Sequence, residues 1–189
     1  MLWNDGSVED ALESISYWIY RTEEVRELLI YLHDYNLNKS EGQKVKFVGI
    51  DMQSNEGASY LLNLSQTYTK ALPDGAKSKL EDLDAEPNYK LAGKSLAWLN
   101  SREQMTFDLR KWLEAERETW IEKMGEQEYK RALRHVRVLE QIFLAYKARK
   151  DDPFYYSNSR DRSMAENALW IINEMYPDEK LMLWAHNGH

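Results

Sequence analysis

The sequence predicts a strongly helix-rich α/β protein, with helical hairpins packed on a partial parallel sheet. Three observations carry that expectation. Apolar residues recur at helical spacing through most of the chain. Two short runs, 44–50 and 180–185, turn almost continuously apolar, as strands buried on both faces of a parallel sheet do. Each run empties into polar residues, and open α/β sheets bind ligands at the carboxyl ends of their strands. A sheet usually needs about four to six strands. Two are present, so the others are expected outside these 189 residues, and the chain is expected to be an internal piece of a longer protein.

The elements follow in order. Ser7 with Asp10 predicts a capped helix start, and Val8, Ala11, Leu12, Ile15 and Ile19 follow at helical spacing. Thr22 caps a second helix, with Val25, Leu28, Leu29 and Leu32 on one face and an end near 36–39. The first strand is predicted over 45–50, and 51–57 is the loop behind it. Residues 58–70 read as helix, which Pro73-Asp74-Gly75 breaks. Shorter helices interrupted near Pro87 lead to a longer one carrying Leu109, Trp112, Leu113, Trp120 and Met124, ended by Gly125. Segment 126–149 has the cleanest period: Tyr129, Ala132, Leu133, Val136, Leu139, Ile142, Phe143 and Tyr146. With its predecessor it forms an antiparallel hairpin. Asp152-Pro153 breaks it, and 154–159 reads as an aromatic, polar loop. A last helix opens at Arg160, with Met164, Ala168, Leu169, Ile172 and Met175 inward, and Pro177 stops it. The second strand, 180–185, runs straight into His186-Asn187-Gly188-His189.

Composition narrows the function. The balance of 25 basic against 32 acidic residues gives a net charge of -7, which repels phosphate, and no basic stripe interleaved with aromatics overrides it. No nucleic-acid partner is expected. No apolar run approaches the ~20 residues of a membrane span, and the opening residues lack the pattern of a signal peptide. Cysteine is absent, which removes disulfides, thiolate zinc sites and cysteine nucleophiles, and fits a reducing compartment. No membrane partner and a cytoplasmic location are expected.

The motifs of nucleotide-binding loops, serine elbows and zinc-protease helices are missing. Half of the four histidines sit in the last four residues. Histidine suits proton transfer near neutral pH, and the end of a buried strand can hold such a group while exposing it. His186 and His189 are therefore the candidate catalytic residues, beside a bland alternative of two incidental histidines. As metal ligands they make half a site, and no nearby carboxylate completes one. His33 and His135 read as solvated helix residues. Arg160, Ser163 and Asn167 share a face at i, i+3 and i+7, either as a functional face or as a helix start that Asp161 complements. Asp51 either caps a turn or faces a site.

The run Arg160-Asp161-Arg162-Ser163-Met164-Ala165-Glu166-Asn167, with Trp184-Ala185-His186-Asn187-Gly188-His189 one helix later, resembles the erythromycin esterase family, which includes succinoglycan biosynthesis-like members. Residues 47–53, Phe-Val-Gly-Ile-Asp-Met-Gln, look like that family's G-x-D strand end. The resemblance implies a hydrolase of ester or lactone bonds, the macrolactone of macrolide antibiotics among them, and hence antibiotic inactivation. It implies a histidine general base acting on water without metal or cofactor. His186 and His189 would then be catalytic, and Asp51, Arg160, Asp161, Glu166 and Asn167 would bind or orient the substrate. Residues 1–189 would form one incomplete domain with a helical insertion at roughly 78–150. The family's Gly-Glu-x-x-His-Gly motif has no counterpart in this sequence. The resemblance thus implies an inactive piece whose partners are an ester or lactone substrate and the missing N- and C-terminal parts of its own chain. The rival reading is a non-catalytic helical interaction module that folds alone and ends in two histidines.

Overall fold

The computed structural model describes residues 7–15 and 18–185, and the chain divides into two compact units, Met1–Gly49 and Ile50–His189. In the first unit, helix α1 (Val8–Ser14) begins at a reciprocal cap. The Ser7 hydroxyl accepts from the Asp10 N–H and the Asp10 carboxylate accepts from the Ser7 N–H, each at 3.0 Å. Helix α2 (Glu23–Leu37) starts at Thr22, whose hydroxyl accepts from the Val25 N–H. The two helices bury Ala11, Val25 and Leu29 against each other, and Arg26 reaches back to Glu9 at 2.7 Å. Leu28 is exposed, so the buried stripe is narrower than its sequence spacing suggests.

The expected parallel sheet is not present among the described residues. No strand occurs among the described residues, and helices pack directly on helices. At the first expected strand, Asn36 shows the reason. Its amide donates to the Val45 C=O and accepts from the Val45 N–H, both at 2.8 Å. A side chain at the end of α2 therefore takes the backbone groups that a neighbouring strand would use. Further along, the Ile50 C=O accepts from another side chain, that of Asn167. The second expected strand, 180–185, follows a turn at 177–178 and joins no ladder among the described residues. There Met182 is 90% exposed and Trp184 60%. An apolar run is a strand only where a partner edge meets it.

In the second unit the order is α3 (Glu56–Thr67), α4 (Ala76–Asp84), α5 (Leu96–Ala115), α6 (Arg117–Met124), α7 (Glu126–Asp151) and α8 (Pro153–Trp170). A π-helical turn, Ile171–Met175, ends α8. Gly75, at φ 69°, opens α4, and Gly125, at φ 81°, separates α6 from α7; both angles favour glycine. The single long helix expected up to Met124 bends at Glu116, which leaves helical geometry and divides α5 from α6.

Helix α7 is the spine. Glu103 meets Lys147 and Arg110 meets Glu140, each at 2.6 Å, so α5 runs antiparallel to α7 as the hairpin reading expects. On its other side Tyr156 lies 5.0 Å from Tyr146 and Asn167 pairs with Gln141, so α8 is antiparallel as well. Leu109, Leu113, Val136, Leu139 and Phe143 are fully buried in the core that these helices share with α3 and α4. Each such side chain contributes about 1.5–3 kcal/mol by leaving water. Trp120 closes the far end, edge-on to Trp112 at 5.0 Å. No helix among the described residues is long and apolar enough to cross a membrane.

Helix α8 starts earlier than the sequence suggests. Residues 154–159 are helical, not a loop, because the Asp152 carboxylate accepts from the Phe154 N–H at 2.8 Å and Pro153 occupies the first helical position. Its buried face is Ser163, Met164, Asn167 and Ala168, whereas Leu169 is exposed. Replacing Asp152 with Ala is expected to cost about 1 kcal/mol. Thermal unfolding would check this, and an unchanged midpoint would mean that the proline alone sets the helix start.

Candidate functional site

The early start of α8 sets four polar side chains along one side of the helix: Tyr156, Arg160, Ser163 and Asn167, at i, i+4, i+7 and i+11. Three of them grip the segment 50–53. The Asn167 amide donates to the Ile50 C=O at 2.7 Å. Arg160 clasps Asp51, with Nε 3.1 and 3.2 Å from its two oxygens and a terminal nitrogen 2.7 Å from one of them. The Gln53 amide donates to the Tyr156 hydroxyl at 2.9 Å. Met52, fully buried, anchors the segment in the core. Ser163 turns back instead and donates to the Ser159 C=O at 2.8 Å. Asp51 and Arg160 are each about a quarter exposed, so solvent reaches the pair.

The neighbouring turn of α8 faces α7. Arg137 meets Glu166 at 2.8 Å and Glu140 at 2.8 Å, while Arg134 meets Glu166 at 3.1 Å. Arg110 of α5 joins through Glu140. Hydrogen bonds from Arg137 pull the Glu166 carboxyl down to about 2, against the cost of burial. The same contact with Glu166 holds the Arg137 guanidinium well above its ordinary range. A shallow groove of about 230 Å³ lies here, walled by Arg110, Leu133, Arg134, Arg137, Glu166 and Trp170. Its cations are already met by carboxylates, so the network ties three helices together.

The sequence model of the erythromycin esterase family matches residues 3–189. The chain belongs to that family. It is 26% identical over 208 aligned positions to erythromycin esterase type II of Escherichia coli, covering 99% of this chain and 48% of that protein. It thus spans about half the length of the curated relative it matches. No solved structure matches it significantly.

Of the site residues expected in this erythromycin esterase family chain, Asp51, Arg160 and Asn167 gather at the segment 50–53. Glu166 turns towards the arginines of α7, and Asp161 lies exposed on the outer side of α8. His186 and His189, with Asn187 and Gly188 between them, lie outside the described residues.

Sequence reasoning missed Gln53, Tyr156, Arg134 and Gln141. Tyr156 was discoverable, since it extends the 160/163/167 spacing by one turn. His135 needs correction. It is not a freely solvated residue but a half-buried one stacked on the Tyr60 ring, 4.1 Å between centroids and 26° between planes, and burial pushes its pKa down to about 4. Tyr60 in turn donates to Glu128 at 2.6 Å. His33, partly exposed beside Asp34 at 3.2 Å, is a surface residue as expected.

Proposed function

We propose that the full-length protein containing this chain hydrolyses carboxylic esters or lactones through a histidine general base. Membership of the erythromycin esterase family across nearly the whole chain carries the reading. The name of the relative adds a substrate class, the macrolactones. In this mechanism His186 takes a proton from water as the oxygen attacks the ester carbonyl carbon, and His189 supports it. The tetrahedral oxyanion then collapses, the C–O bond to the leaving group breaks as His186 returns its proton to the departing alcohol oxygen, and the acid formed loses its proton to solvent as a carboxylate. Arg160, braced by Asp51, supplies positive charge beside the reacting carbonyl, and Asp161 borders the entrance. Glu166 and Asn167 serve the wall of the site, since their partners are protein groups.

Hydrolysis of an aryl ester and of a macrolactone by the purified full-length protein tests the reading. Turnover of at least one is expected. The 189 residues alone are expected to be inactive, in keeping with the half-length match. A full-length protein inert towards both substrates would sink the proposal. Hydrolysis by these residues alone, lost in His186→Ala, would place the whole catalytic apparatus within this half.

A further inference from the structure

Asn167 is 4% exposed and Gln141 2% exposed, so both amides depend on the protein for partners; all of Asn167's polar atoms find them, whereas the Gln141 Oε1 meets none among the described residues. The Asn167 Oδ1 accepts from an Arg134 terminal nitrogen and from the Gln141 amide, while its Nδ2 donates to the Ile50 C=O. Only one orientation of the amide satisfies this set. Arginine has donors and no acceptor, and a carbonyl oxygen accepts and never donates. Turning the amide over would set N–H against guanidinium and oxygen against oxygen. Arg134 is itself fixed by Glu166, and Glu166 by Arg137.

The chain of constraints ends at Ile50, whose carbonyl belongs to the peptide leading into Asp51. One residue on, Asp51 receives three close contacts from Arg160. Asn167 and Arg160 are two turns apart on the same helix, so they hold the backbone and the side chain of the same short segment.

We propose that Arg134 and Gln141 of α7, acting through Asn167, are positioning residues that set the Asp51–Arg160 pair for the reaction. They touch no substrate. They fix the direction of one amide, and that amide fixes the peptide carrying Asp51. The inference rests on the ester-hydrolase reading for its kinetic consequence, but not for its structural one.

Asn167→Asp separates positioning from mere packing. The carboxylate still accepts from Arg134 and Gln141, and gains charge attraction to the former. It cannot donate to the Ile50 C=O, and it sets two oxygens against each other there. A packing role predicts little change. Positioning predicts kcat down about 10-fold with KM nearly constant in the full-length protein. It also predicts a shift of the Arg160 Nε–H signal in ¹H–¹⁵N spectra, with the melting temperature kept. Gln141→Met, which removes one of the two donors and keeps the volume, is expected to move the same signal less. It serves as the test if Asn167→Asp fails to fold.

An unmoved Arg160 signal in the folded variant overturns the proposal, as does wild-type kcat in an active enzyme. If the wild-type protein hydrolyses no ester, the esterase reading falls, while the Arg160 signal still decides the positioning.

Discussion

Replacing His186 with Ala or Gln in the full-length protein is expected to lower kcat/KM by at least ~10²-fold while the melting temperature stays put. The expectation follows from position and chemistry together. The residue comes immediately after the apolar run 180–185, and an imidazole suits proton transfer near neutral pH. General-base catalysis alone typically contributes about 10²–10⁴-fold, so its removal has a large and specific effect. His189, linked through Gly188, is expected to matter less. His33→Ala is the control, because it lies on the outer side of α2 beside Asp34 and surface changes cost under about 0.5 kcal/mol. Kinetics and melts on the three variants side by side decide the matter. Full activity in His186→Ala, or loss through unfolding alone, ends the catalytic reading.

The helices were legible because local chemistry writes them. Ser7, Thr22, Gly75, Gly125 and Asp152 all stand where a helix begins or ends, and each acts through its own side chain or backbone. The heptad-like stripe of α7 was legible for the same reason: Ala132, Val136, Leu139 and Phe143 lie inward as spaced. That 45–50 would form no strand was not legible. Whether 45–50 pairs with another strand depends on what else can satisfy its backbone, and Asn36, nine residues upstream of Val45, does so. No periodicity reports a contact of that kind. The start of α8 was misplaced because three aromatic residues in 154–156 outweighed a capping signal, Asp152-Pro153, that was in plain view.

The candidate site divides the same way. Arg160 and Asn167 share a face by spacing, and on that face both reach the segment 50–53. That Asp51 would lie under Arg160, 109 positions away, was not legible, since the sequence offers only two opposite charges. Glu166 illustrates the converse. The resemblance gave it a place near the substrate, and in the structure two arginines on α7 hold its carboxylate at the edge of the groove, with the side chain still partly exposed.

His135 supplies the largest expected effect on stability. It follows Ala132 by three positions and precedes Leu139 by four, and both of those are fully buried, so its own spacing put it on the inward face. The α3 helix meets it there. The place of a Cβ at Gly57 would lie 3.2 Å from the His135 carbonyl oxygen, and Tyr60 covers the ring. Burial disfavours the imidazolium, Arg131 adds repulsion, and Glu128 opposes both, leaving a pKa of about 4 against an ordinary 6.5. The folded state therefore binds fewer protons than the unfolded one between those values. Stability is full above about pH 6.5, falls as the pH drops towards 4, and levels off below. From pH 7 to pH 5 the loss from this one group is about 2 kcal/mol, at 1.36 kcal/mol per unit. His135→Phe keeps a ring against Tyr60 and removes the titration. Urea unfolding of both proteins at the two pH values isolates the effect, because other acid-sensitive groups, Glu166 among them, act equally on each. The gap between the proteins is expected to widen in favour of the phenylalanine variant at pH 5. A gap that stays constant would mean that His135 is protonated in the folded state, and that the stack on Tyr60 accommodates the charge.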